Sequence, residues 1–269
     1  MPGASFAAID AGPPGRATNL DGVTSRGARL LVVVVHETDP PARLGEWLRD
    51  AGLDLDERHL GTGDVRPGTL EGFDGMVVLG GPQSALDDAA TSPELVGVRE
   101  LLRQALDGDF PTLAICLGAQ LLAEVGGGRV RKGIDGPEVG ALLVAKRDVA
   151  DQDPVFGPLP LTPDVIQFHH DEIAELPAGA TLLASSPMYA HQAYRVGRHV
   201  YGLQFHIETT PEIVHEWAAR DHVGVAASPY DRETICLRSD AVHPDIEEVW
   251  APFAGRFADL VRAQARQAA

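Results

Sequence analysis

Six consecutive apolar residues, Leu30-Leu31-Val32-Val33-Val34-Val35, show no alternation with polar ones. A strand with one wet face must alternate, because successive side chains point to opposite sides of a sheet. An unbroken β-branched run therefore predicts a parallel strand buried on both faces, with helices packed above and below it. Met76-Val77-Val78-Leu79 and the run from Pro111 to Ile115 repeat the pattern. Between these two, Ser92-Pro93-Glu94 reads as an N-cap, a proline at the first helical position and an acid in the first turn. Leu95, Val98, Leu101, Leu102 and Leu106 follow at helical spacing, and Gly108 closes the helix. Strand, helix and strand in succession predict right-handed crossovers in an α/β fold with a parallel sheet.

The remainder fits around that frame. Asp39-Pro40-Pro41 breaks the chain before a short helix carrying Leu44, Trp47 and Leu48, and a second strand is expected over Leu53–Leu60. After Gly126-Gly127-Gly128 the pattern shortens. Strands are expected at Val139–Val144, Val165–Phe168, Thr181–Ala184, Ala190–Arg195 and Val200–Phe205, several of them antiparallel because their links are too short for crossover helices. Thr210-Pro211-Glu212 opens a helix bearing Ile213, Val214 and Trp217, and a last helix presents Ile246, Val249, Trp250, Phe253, Phe257, Leu260 and Val261 to the core. Residues 1–27, rich in Gly, Ala and Pro, read as a flexible extension, and 28–269 as one domain with a core at 29–217 and a C-terminal helical appendage at 218–269.

Composition narrows the partners. A formal net charge of −17 argues against nucleic acid or an anionic membrane surface. No apolar run approaches the ~20 residues of a membrane span, and the N-terminus lacks a basic-then-apolar export signal. Two cysteines are too few for a disulfide framework, so a reducing, cytoplasmic setting is expected. No Cys or His cluster has metal spacing, and no cofactor or metal is expected.

Chemistry concentrates at the strand ends. Cys116 stands where an apolar strand turns into a helix beginning with Leu121, Leu122 and Val125, so its thiol faces a helix N-terminus, which favours thiolate. Gly118 fits a turn too crowded for a side chain, leaving the Leu117 N–H aimed at an incoming carbonyl oxygen. Gly80-Gly81-Pro82 ends the neighbouring strand and can offer further N–H groups to a developing oxyanion. A third apolar strand emerges into His206, with Glu208 two residues on, where it can orient the imidazole. The rim at the carboxyl ends of parallel strands is where such sites assemble. The plainer alternatives are a buried structural cysteine and a strand-end histidine beside a solvated glutamate. His36 ends the first strand on the same rim, Cys236 reads as a structural thiol, and His191 and His199 as strand-surface residues.

Gly80-Gly81-Pro82, Cys116-Leu117-Gly118-Ala119-Gln120 and Gln204-Phe205-His206-Ile207-Glu208, in that order, resemble the class I (triad-type) glutamine amidotransferase family. The likeness spans about residues 29–217 and is greatest to stand-alone members similar to the amidotransferase half of GMP synthase. It implies a flavodoxin-like three-layer sandwich. It also implies Cys116 as nucleophile, His206 as acid/base, Glu208 as its partner and an oxyanion hole from the N–H groups of Gly81 and Leu117. Gly80, Pro82, Gln120, His169 and Asp171 would lie at the bound substrate, and Glu138-Val139-Gly140 fits the family as well. Ile207 stands where the family usually has proline, and His170 where its His-Gly-Asp pattern has glycine. The implied substrate is L-glutamine or a γ-glutamyl compound. Without a Gly-x-x-x-x-Gly-Lys phosphate loop, an amidotransferase would need a synthetase subunit to take the ammonia. A partner-independent γ-glutamyl hydrolase and a catalytically silent regulatory module are the other readings.

Overall fold

The structure, a computed structural model, describes residues 27–268. All but the last residue of the extension expected at 1–27 lies outside the described residues. The chain opens with β1 (Arg29–Val34), α1 (Ala42–Asp50), β2 (Asp54–His59), β3 (Gly75–Val78), α2 (Pro93–Asp107), β4 (Thr112–Ile115) and α3 (Leu117–Val125). The shorter strands follow: β5 (Arg129–Lys132), β6 (Glu138–Leu143), β7 (Ala145–Lys146), β8 (Asp164–His169), β9 (Asp171–Glu175), β10 (Thr181–Ser185), β11 (Ala193–Val196) and β12 (Val200–Leu203). Three helices complete it: α4 (Pro211–Arg220), α5 (His222–Ala227) and α6 (Arg232–Ala268).

The central sheet has eight strands in the order β2-β1-β3-β4-β12-β11-β10-β7. It is parallel from β2 to β12 and antiparallel from β12 to β7. The Leu30–Val35 run explains the layering. Leu30, Val32 and Val34 belong to one apolar core, whereas Leu31, Val33 and Val35 belong to a second on the opposite face. Each strand residue is thus buried, on alternating sides, as a two-faced strand requires. Leu44 and Leu48 of α1 and Trp250, Phe253 and Phe257 of α6 fill the first core, and Leu95, Val98, Leu121 and Leu122 of α2 and α3 fill the second. This is the α/β arrangement with a largely parallel sheet expected from the pattern, and the flavodoxin-like sandwich that the resemblance implies.

Some local expectations shift. The strand expected over Val200–Phe205 ends at Leu203, and His206 instead makes an isolated antiparallel bridge to Ile166. The strand expected from Ala190 begins at Ala193. Ser92 occupies the N-cap of α2 but makes no capping bond, because its hydroxyl donates to Asp87 Oδ2 at 2.8 Å. The pair β5–β9 and the α5 turn had no counterpart in the sequence pattern. α6 spans 37 residues with Pro244 and Pro252 inside it, and packs along α1, α4, β6 and β8. Among the described residues no helix is long and apolar enough to cross a membrane, and no group of three or more His, Cys, Asp or Glu could hold a metal ion.

Candidate active site

Cys116 is the hinge between β4 and α3. Its φ of 50° and ψ of −109° form a conformation that side-chain-bearing residues rarely adopt. Two hydrogen bonds hold it there: its N–H donates to Leu203 O on β12 at 2.7 Å, and its carbonyl accepts from Gln120 N at 2.9 Å. Gly118 permits the turn. A Cβ at 118 would overlap the carbonyl oxygen of Val78 and sit 3.0 Å from its carbon, so α3 starts tight against β3. The thiol ends at the floor of a cavity of about 510 Å³, which the rim of the parallel strands opens to solvent.

His206 reaches the same cavity from the end of β12. Glu208 Oε1 accepts from its Nδ1 at 2.6 Å, while Glu208 Oε2 accepts from Ile207 N at 2.9 Å. Ring and carboxylate are each about 1% exposed. Trp217 of α4 covers the imidazole, with ring centroids 4.6 Å apart, and its indole N–H donates to Thr38 O. The second ring nitrogen, Nε2, is buried without a hydrogen-bond partner. Burial alone would push the His206 pKa down. The Glu208 carboxylate and then the nearby Cys116 outweigh it, holding the imidazole well above the ordinary histidine range. The arrangement is a sulfur at a strained corner beside a ring whose free nitrogen can exchange a proton and whose other nitrogen is locked by an acid.

The expected surroundings gather here to different degrees. Gly81, Pro82, Leu117, Gln120, His169 and Asp171 line the cavity with Cys116 and His206. Neither the Gly81 nor the Leu117 N–H has a hydrogen-bond partner among the described residues. Gly80 lies beneath the lining, at the point where Asp39, His206 and Cys116 converge. Gln120 Nε2 donates to Gln204 Oε1 and to Asp171 O, both at 3.2 Å, and Gln204 Nε2 approaches Cys116 Sγ at 3.8 Å. Asp171 Oδ2 accepts from Ser84 Oγ at 2.6 Å. His169 is pinned on both ring nitrogens, to Asp171 O at 2.8 Å and to Glu138 Oε2 at 3.2 Å. Glu138 also accepts from Gln192 Nε2 and Ser186 Oγ, so it anchors a buried polar network behind the cavity wall.

A family model described as "Glutamine amidotransferase class-I" matches residues 53–220. The chain belongs to the class-I glutamine amidotransferase family. It is 34% identical over 190 residues to a glutamine-hydrolyzing GMP synthase subunit of Thermoplasma acidophilum, covering 68% of this chain and 86% of that one. It is 33% identical over 151 residues to gamma-glutamyl peptidase 3 of Arabidopsis thaliana, covering 55% of this chain and 59% of the peptidase. A crystal structure of a glutamine amidotransferase from Thermotoga maritima superposes with a TM-score of 0.76 at 26% identity, over 87% of this chain and 99% of that one.

Against the amidotransferase pattern, the two departures have different consequences. Ile207 is fully buried in the first core, and the His206–Glu208 pairing is intact without a proline between them. His170 lines the outer cavity, where its Nε2 pairs with Asp221 Oδ2 at 2.7 Å, so this wall carries an imidazole where the family pattern has glycine. His36 lines the cavity as well. Cys236 is half-buried on α6, and burial pushes its thiol up. His191 and His199 bond to the carbonyls of Ile173 and Asp109. The sequence reading missed Asp39, Gln204 and Trp217 as parts of the site. The rule that strand carboxyl ends form the rim, applied to His36, would have reached Asp39 three residues on.

Proposed function

We propose that the protein cleaves γ-glutamyl amides, with the side-chain amide of L-glutamine as the simplest case, through a thioester on Cys116. The observation that carries this reading is the unpartnered Nε2 of His206, buried beside Cys116 while Glu208 holds Nδ1. The Cys116 thiol gives its proton to His206 Nε2, the sulfur attacks the amide carbon, and the oxygen gathers negative charge opposite the free N–H groups of Gly81 and Leu117. His206 Nε2 gives its proton to the leaving nitrogen as the C–N bond breaks. Water then attacks the thioester, His206 takes its proton, and glutamate leaves as Cys116 is regenerated. Gln120, His169 and Asp171 are proposed to face the glutamyl end, with Gly80 and Pro82 shaping the floor. A reducing, cytoplasmic setting suits a site that depends on a free thiol.

Whether the ammonia passes to a synthetase subunit, as the name of the Thermoplasma relative suggests, or is simply released divides two versions of this function. At about 510 Å³ the cavity lies within the ~300–1,000 Å³ of sites for drug-sized ligands, so it has room beyond a glutamine side chain for a peptide leaving group and accommodates the second version as well as the first. Purified protein supplied with glutamine and with γ-glutamyl peptides, with glutamate and ammonia measured separately, distinguishes them. Activity on peptides without a partner supports the hydrolase version. Cys116→Ala should abolish both activities while leaving the fold intact, and undiminished turnover in that variant would refute the assignment.

A further inference from the structure

The loop between β1 and α1 brings a carboxylate into the site. Asp39 is 7% exposed and lines the cavity with Cys116 and His206. Its Oδ2 accepts from Thr38 Oγ1 at 2.6 Å, whereas Oδ1 has no hydrogen-bond partner among the described residues. Gly80 locates that free oxygen. A Cβ placed on Gly80 would lie 2.7 Å from Asp39 Oδ1, 3.3 Å from His206 Cε1 and 3.5 Å from Cys116 Cβ. Three groups therefore converge on the Gly80 Cα beneath the cavity lining: the free carboxylate oxygen, the ring carbon between the two imidazole nitrogens, and the carbon bearing the sulfur. Asp39, Cys116 and His206 also line the cavity together, so a nitrogen leaving from a Cys116 adduct with a proton from Nε2 departs into a space that Asp39 faces. Asp171 is not among the groups nearest Gly80; its Oδ2 accepts from Ser84 Oγ and its backbone carbonyl from Gln120 Nε2.

We propose that Asp39 Oδ1 accepts a hydrogen bond from the departing amine and is a further catalytic residue for amide cleavage; this rests on the reading of Cys116 as the nucleophile. In the tetrahedral adduct the leaving nitrogen of glutamine carries two hydrogens, and that of a γ-glutamyl peptide carries one. His206 Nε2 delivers a further proton, and the electron pair of the breaking C–N bond goes to nitrogen. As nitrogen takes up positive charge its N–H groups become stronger donors, so a carboxylate beside them binds the transition state better than the ground state. Asp39 transfers no proton in this step and leaves the balance of the reaction unchanged. An ester leaving group differs, since its oxygen carries no hydrogen except the one His206 supplies. Burial raises the Asp39 pKa, with His206 and Thr38 pulling it back, Glu208 adding to the rise and His36 opposing it. A carboxyl kept where burial disfavours its charge is common at working sites.

The test compares kcat/KM for γ-glutamyl p-nitroanilide and for glutamic acid γ-methyl ester in wild type, Asp39→Asn and Asp39→Ala, at about pH 8 so that carboxylates are ionised. Cys116 alkylation by iodoacetamide and Tm are followed in parallel. Asp39→Asn should lower the anilide rate by about 10- to 100-fold and the ester rate by less than about 3-fold, the difference expected for one hydrogen bond to a charged acceptor. Tm should not fall, because asparagine can still accept from Thr38 and no longer carries a buried charge. Asp39→Ala should reproduce the fall in the anilide-to-ester ratio. Equal losses on both substrates, or no loss on either, overturn the role of Asp39 alone. Wild-type protein inert on both substrates overturns this proposal, and if Cys116 also resists iodoacetamide the Cys116 reading falls with it.

Discussion

Gly118→Ala tests the packing that sets the Cys116 corner. In an open helix this change is favourable by about 0.5–1 kcal/mol, because alanine loses less backbone freedom on folding than glycine. Gly255 in α6 offers that reference, since an added Cβ there would meet nothing within 4 Å. At Gly118 the same methyl would overlap the Val78 carbonyl oxygen, with Val78 Cγ1 at 3.1 Å. Val78 is backbone of a central strand and cannot swing aside, so the start of α3 must move away by roughly 1 Å to restore contact distance. Overpacking of this kind costs about 1–3 kcal/mol, which outweighs the helix gain and leaves a net loss near 1–2 kcal/mol. The displacement passes to Cys116 two residues earlier, and a misplacement of that size costs about 100-fold in turnover. Urea unfolding of Gly118→Ala and Gly255→Ala, with γ-glutamyl turnover for each, reads both effects. If Gly118→Ala stabilises the protein as Gly255→Ala does and keeps its turnover, the close-packing account of the corner is wrong.

Glu208→Gln removes the charge that opposes burial at His206, so the imidazole pKa should fall and turnover should drop by about 10²–10⁴-fold. A raised histidine pKa stabilises the native state below the unfolded-state value near 6.5 and loses that contribution as pH climbs through the folded value. Unfolding free energy should therefore decline with pH above ~6.5 in wild type and less steeply in Glu208→Gln; identical pH slopes would count against the coupling. Glu138→Ala would strip His169, Ser186 and Gln192 of their shared acceptor and should cost about 3 kcal/mol or more in urea unfolding. A loss below about 1 kcal/mol would mean that the network is solvated rather than structural.

What the sequence revealed follows from which forces leave a local trace. The run Leu30–Val35 declared a two-faced strand because each of its residues is buried, and the structure sorts them onto opposite cores. Cys116 was legible because the strand-to-helix turn, the glycine and the thiol are contiguous. β5 and β9 were not, because charge as well as burial holds them together. Arg131 pairs with Glu172 and Arg129 with Glu175 across the two strands, and such pairing leaves little apolar period to read. Asp39 was hidden differently. Beside Pro40-Pro41 it resembles punctuation, and its meaning depends on His206, which only the folded sheet brings near.

The path of α6 has a further consequence for how the site comes into being. The corner at Cys116 needs little more than β3, β4, β12 and α3, but His206 depends on what lies behind it. Phe205 packs on Trp250 with ring centroids 5.3 Å apart, and Trp250 Nε1 donates to Asp164 O at the start of β8, the strand whose Ile166 bridges to His206. The ring beside the thiol is thus braced by a residue 44 positions later in the chain. The position of the imidazole beside the thiol therefore rests on the docking of the last helix as well as on the end of its own strand, so a change in packing at Trp250 reaches the cavity without touching any residue that lines it.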